Sequence, residues 1–190
     1  DLKPNQGTVT LDRLNVLKLQ RERSKLFSVL NQEPFLFNTT IYENLKMANP
    51  DATTDQMMEI LEKVQLADFV NSLPKGLDTE VAEAGARFSG GQKERLALAR
   101  VLLQDTPIVL LDEPTVGLDP LTEQKLLNLV FEVLKNKTVV WVTHHLQGVK
   151  YMNEVLFFKD GKVTMQGNPH ELFKHNEHFH QLYLMDQGLI

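Results

Sequence analysis

The order of apolar and polar positions along the 190-residue chain divides it into stretches of different period. Residues 7–11 (Gly-Thr-Val-Thr-Leu) and 26–30 are short and rich in β-branched or large apolar side chains, which predicts two strands in a β-rich opening segment. From residue 38 to about 73 the spacing changes. Ile41 and Leu45, then Met57, Ile60, Leu61 and Val64, recur three and four apart, each group preceded by Thr or Asp, as in capped helices. This stretch predicts a mostly helical lobe, closed by Pro74, Lys75 and Gly76 and followed by a Gly/Ala-rich loop up to Ser89.

A further helix is expected over 90–104, with Leu96, Ala99 and Leu103 on its apolar face and Lys93, Glu94 and Arg100 at polar positions. Residues 108–111 form an unbroken apolar run, the mark of a strand buried on both faces, and 138–142 repeat it after a helix over about 121–134. Strand, helix, strand implies a parallel α/β sheet. Residues 154–158 and 162–165 flank Asp160-Gly161, a strong hairpin signal, and two short helices follow.

Composition mainly excludes. With 42% hydrophobic and 24% charged residues the chain reads as an ordinary folded domain, long enough to bury about 70% of its unfolded surface without a staple. The absence of cysteine removes thiol catalysis, disulfides and Cys-type zinc sites. A net charge of −5 argues against nonspecific binding to nucleic acid, and no such partner is expected. No apolar run approaches the roughly 18 residues of a membrane span. The chain begins with Asp rather than Met and shows no signal peptide, so a fragment or processed chain is expected.

Two constellations carry chemistry. Asp112 and Glu113 emerge where the apolar run 108–111 ends, at the sheet edge where open α/β folds bind ligands. Asp112 suits Mg²⁺, and Glu113 suits polarising an attacking water, although Asp-Glu-Pro alone also describes a strand running into a turn. The second is Ser89-Gly90-Gly91-Gln92, which opens a helix with the spacing of a capping box and offers free N–H groups to a phosphate. In the tail, His175 and His178 share a helix-like spacing but read as exposed helix residues rather than a metal site.

The string Ser-Gly-Gly-Gln-Lys-Glu-Arg-Leu-Ala-Leu-Ala-Arg at 89–100 resembles the signature motif of the ATP-binding-cassette (ABC) ATPases. Residues 108–113 resemble their Walker B strand and catalytic glutamate, Gln32 their Q-loop glutamine, Gly117-Leu118-Asp119 their D-loop, and His144 their switch histidine. The resemblance covers essentially the whole chain. It implies a P-loop ATPase fold of the ABC type: a parallel core sheet, an N-terminal antiparallel β segment and a helical signature lobe, with the first part of the fold missing. It implies one truncated nucleotide-binding domain, divided at 1–32, 33–88 and 89–190.

By the same resemblance, two such domains meet head to tail, as a homodimer or heterodimer, with ATP and Mg²⁺ between them. Gln32, Asp112, Glu113 and His144 then serve the protomer's own ATP, Gln32 and Asp112 at the Mg²⁺. Ser89, Gly90, Gly91 and Gln92 face the partner's ATP, and Asp119 sits at the seam. Residues 35–41 and 79–83 resemble exporter-type cassettes, with Glu83 near transmembrane helices of the same or another chain. Further details resemble bacterial heterodimeric exporters of cysteine or glutathione, which places the protein at the cytoplasmic face of the inner membrane. A non-transport ABC ATPase and a non-enzymatic subunit completing a partner's ATP site are the alternatives.

No Gly-x-x-x-x-Gly-Lys-Ser/Thr occurs in the sequence, although that loop cradles the β- and γ-phosphates in the family. The expectation is truncation just beyond it, an interior strand missing from the sheet, and a chain that alone binds MgATP weakly and hydrolyses it negligibly. Arg13 stands where the family usually has a turn glycine.

Overall fold

The computed structural model describes residues 4–19, 22–81, 88–115, 119–146, 148–186 and 188, arranged as two compact units, 1–142 and 143–190. The first begins with a small antiparallel pair, β1 (Thr10–Leu11) and β2 (Leu14–Asn15). Of the strand expected over 7–11, only the last two residues pair. Asp12 and Arg13 turn the chain with φ of 47° and 67°, the left-handed pair that matches strand twist in two-residue hairpins. After a 3₁₀ turn (Val16–Leu19) and one helical turn, α1 (Arg23–Leu26), the chain enters β3 (Phe27–Leu30).

The lobe that follows is helical as its period predicts: α2 (Ile41–Lys46), α3 (Thr54–Lys63) and α4 (Ala67–Ser72). The Thr40 hydroxyl caps α2 by accepting from Glu43 N, and Thr53 and Gln56 form a reciprocal capping box on α3. Ile41, Leu45, Met57, Leu61 and Val64 are fully buried. Each such side chain contributes about 1.5–3 kcal/mol relative to an exposed one.

Helix α5 (Gly90–Gln104) crosses to β4 (Ile108–Asp112), and α6 (Pro120–Val133) returns the chain to β5 (Thr138–Val142). The strands lie in the order β3-β4-β5, all parallel, with Val29, Leu110 and Val140 in one row and Leu30, Leu111 and Trp141 in the next. The second row joins the core with Leu96, Leu98, Leu126 and Val130 from α5 and α6. The buried hydroxyls of Thr106 and Ser28, 2.8 Å apart, tie the approach to β4 to β3.

The sheet's opposite face corrects one expectation. Residues 138–142 are not buried on both sides: exposure alternates along β5, with Val140 and Val142 about half exposed, as is Val29. Parallel sheets are ordinarily covered on both faces. Among the described residues β5 is an end strand, and the row of Val29 and Val140 is left open.

The second unit is a 3₁₀ turn (Val149–Tyr151), the hairpin β6 (Val155–Lys159) and β7 (Lys162–Gly167), and helices α7 (Pro169–His175) and α8 (Glu177–Asp186). Asp160 and Gly161 make the expected turn, with φ of 50° and 73°. Asn168 caps α7 through Oδ1 and Pro169 takes its first position, where no N–H is missed.

Candidate functional site

Three of the residues singled out by the sequence stand at strand ends. β3 stops at Leu30, two residues before Gln32, and β4 stops at Asp112, with Glu113 next. Parallel order brings these carboxyl ends to one edge, where α/β sheets receive ligands. There the Gln32 Nε2 donates to Glu113 Oε2 at 3.3 Å. Glu113 is left-handed, φ 45°, a conformation that costs a non-glycine residue about 1–3 kcal/mol. Its N–H donates to the Val142 carbonyl at 3.0 Å, so β5 holds the kink that turns the glutamate away from the strand line.

Asp112, Glu113 and Gln32 present two carboxylates and an amide oxygen, the hard donors Mg²⁺ prefers. Among the described residues no group of three or more His, Cys, Asp or Glu forms a metal cage. The donor set therefore fits an ion that also keeps water and phosphate oxygens.

Ser89 caps α5 as expected: its Oγ accepts from Gln92 N at 3.3 Å, while Gln92 Oε1 accepts from Ser89 N at 2.8 Å. The serine is exposed and, as the acceptor in that bond, keeps its own hydrogen for an outside group. Asp119 caps α6, accepting from Leu121 N and Thr122 N. These bonds, the Thr122 hydroxyl first among them, hold its carboxyl below the ordinary range. Gly91 lies beside Thr122, so the first turns of α5 and α6 adjoin. Gly117 and Leu118 of the expected D-loop, and Glu83, lie outside the described residues.

His144 opens the second unit, following Thr143. Its ring is tilted against that of His145 at 4.0 Å. Asp186, at the end of α8, accepts from Leu146 N at 2.8 Å and stands 3.4 Å from His145 Nδ1, tethering this loop.

The sequence model of the family described as ABC transporter matches residues 1–116. The chain belongs to that family. It is 48% identical over 185 residues to the glutathione/L-cysteine transport system ATP-binding/permease protein CydD of Bacillus subtilis, covering 97% of this chain and 32% of that protein. The corresponding CydC of Escherichia coli is 36% identical over 187 residues, 98% of this chain and 32% of the relative. The structure of a bacterial Atm1-family ABC exporter with ATP bound matches with a TM-score of 0.83 at 29% identity, covering 96% of this chain and 32% of that one. The chain thus spans about a third of the length of the relatives it matches.

Two side chains of this ABC transporter chain depart from their expected surroundings. Glu94, assigned to the polar face of its helix, is 5% exposed, and burial raises its pKa to about 7. Its Oε2 has no hydrogen-bond partner among the described residues. Arg100 is half-buried, lowering its pKa from the ordinary value, and its guanidinium reaches the loop after Gln32. The signal for Glu94 was present: 94, 97, 98 and 101 form a second stripe at helical spacing, and Ala97, Leu98 and Val101 are all buried. α5 is accordingly enclosed on most of its circumference, which the single stripe of Leu96, Ala99 and Leu103 did not convey. Nothing in the local sequence marks the reach of Arg100.

Proposed function

We propose that the chain forms part of the ATP-hydrolysing motor of an ABC exporter. The observation that carries this reading is the contact of Gln32 with a strained Glu113 at the carboxyl edge of a parallel sheet, in a chain of the ABC transporter family. Glu113 orients a water and takes its proton as the water attacks the γ-phosphate. Asp112 and Gln32 would hold Mg²⁺, whose charge when bound offsets that of the phosphates. His144 holds the γ-phosphate. Ser89, with the N–H groups of Gly90 and Gly91 and with Gln92, faces the nucleotide of a second ABC ATPase domain, and Asp119 lies at the seam.

Among the described residues no helix is long and apolar enough to cross a membrane. In the motor reading the chain works with a transmembrane domain, of the same polypeptide or another, from the cytoplasmic face of the membrane. The names of the relatives at 48% and 36% identity support glutathione or cysteine as the exported compound. The test is ATP turnover of the full-length protein in its membrane complex. Glu113→Gln is expected to cut kcat by roughly 10²–10⁴-fold, the usual contribution of a general base, while ATP still binds. Turnover at the wild-type rate would overturn the assignment. Ser89→Ala is expected to impair the site whose catalytic glutamate belongs to the partner domain.

A further inference from the structure

The loop that carries Gln32 is fastened from two sides. Asn44, fully buried on α2, accepts from Phe37 N at 2.9 Å and donates to the carbonyls of Phe37 and Thr40, both at 3.0 Å. That fixes the part of the loop nearest α2. Nearer Gln32 the fastening comes from α5: Arg100 Nη1 donates to the Phe35 carbonyl at 2.7 Å, and the guanidinium lies 5.3 Å from the centroid of the Phe37 ring. Phe35 and Phe37 meet edge to face at 5.0 Å, so the guanidinium lies over one ring of a touching pair.

These contacts are of the kind that holds a loop in one place. A charged donor makes a hydrogen bond roughly twice as strong as a neutral one, and cation–π attraction grows as water is excluded. A guanidinium makes both at once because it is planar, whereas an ammonium offers only a point charge. The two rings gain nothing comparable from burial: Phe35 is 67% exposed and Phe37 38%. Apolar packing alone therefore anchors this part of the loop poorly, and the arginine supplies the missing constraint.

We propose that Arg100 is a positioning residue for Gln32. It holds the loop so that the Gln32 amide meets Glu113, and it ties that loop to the same helix whose first turn carries Ser89. The two halves of the proposed nucleotide machinery in this chain are thereby joined through one rigid element, α5. The inference rests on the reading of Gln32 and Glu113 as parts of an ATP site.

The experiment is a double-mutant cycle on ATP turnover by the full-length protein in its membrane complex, using Arg100→Met, Gln32→Ala and the pair. Arg100→Met keeps an apolar stem of similar length to the arginine's and removes the guanidinium. It is expected to lower kcat about tenfold, as a displaced positioning group does, with KM for ATP changed less than about twofold. In the Gln32→Ala background it is expected to have no further effect, because no amide remains to be placed. An equal loss in both backgrounds overturns the proposal, since a merely structural arginine costs the same with or without Gln32. Phe37→Leu removes the ring under the guanidinium and leaves the bond to Phe35. It is expected to cost about threefold, again only when Gln32 is present, and it decides the question if Arg100→Met does not fold. Glu113→Gln separates the two levels. Undiminished turnover in that variant defeats the site reading itself, whereas a dead Glu113→Gln with independent Arg100 and Gln32 effects defeats the role of Arg100 alone.

Discussion

Gly91 and Thr122 stand so close that a Cβ on the glycine would lie 3.3 Å from the threonine Cγ2. The threonine has little room to yield, because its hydroxyl and its N–H both bond to the Asp119 carboxylate. Gly91→Ala is therefore expected to lose about 1 kcal/mol of stability to overpacking, despite the better helix propensity of alanine. Adding Thr122→Ser removes the methyl and keeps the hydroxyl, and should restore the loss. Denaturant midpoints of the single and double variants check this, and an additive double variant would count against it. The packing role stands beside the phosphate-facing role proposed for the same glycine.

Burial raises the pKa of Glu94 to about 7 from an ordinary 4.5. The folded protein then binds the proton more tightly than the unfolded chain, so this side chain favours folding most below pH 4.5. Its contribution falls as the pH rises towards 7 and stays low above it, a loss on the order of 3 kcal/mol. Glu94→Gln, neutral throughout, should gain thermal stability relative to wild type at pH 8 and much less at pH 5. A difference between the two proteins that is the same at both pH values would falsify the assignment of this titration to Glu94.

The β1–β2 turn places Arg13 at φ 67°, where an L side chain crowds its own backbone. Arg13→Gly should relieve this strain and raise stability by about 0.5 kcal/mol after the added freedom of the unfolded chain is counted. Arg13→Ala keeps a Cβ and should show no gain. Comparing the melting midpoints of both variants separates the backbone effect from loss of the charge.

Much of this architecture was legible in the chain because local signals agreed with one another. The spacing of Met57, Leu61 and Val64 behind a Thr or Asp predicted a capped helix, and α3 opens on the Thr53–Gln56 capping box, with those three residues buried. Ser89 and Gln92 are equally explicit. Asp112 and Glu113 were placed at a strand end by the apolar run before them, and the structure adds the meeting with Gln32, which a separation of 81 positions in the chain conceals. Long-range contacts leave no period behind. Arg100 has the composition of a solvated helix position and bonds instead to a carbonyl 65 residues away. The exposure of Val140 and Val142 was illegible for a related reason: a run of apolar residues shows that a strand suits burial, while the elements available to cover it are a property of the whole assembly.

That open row on β5 has a practical consequence. Among the described residues the outer edge of Thr138–Val142 pairs with no other strand, and the segment Thr-Val-Val-Trp-Val carries no charge and no proline to discourage a newcomer. Handled as an isolated polypeptide, the chain offers strangers both a backbone to zip onto and a greasy surface beside it. Its solutions should cloud with rising concentration, and a lysine at Val140 would be the simplest means of keeping them clear.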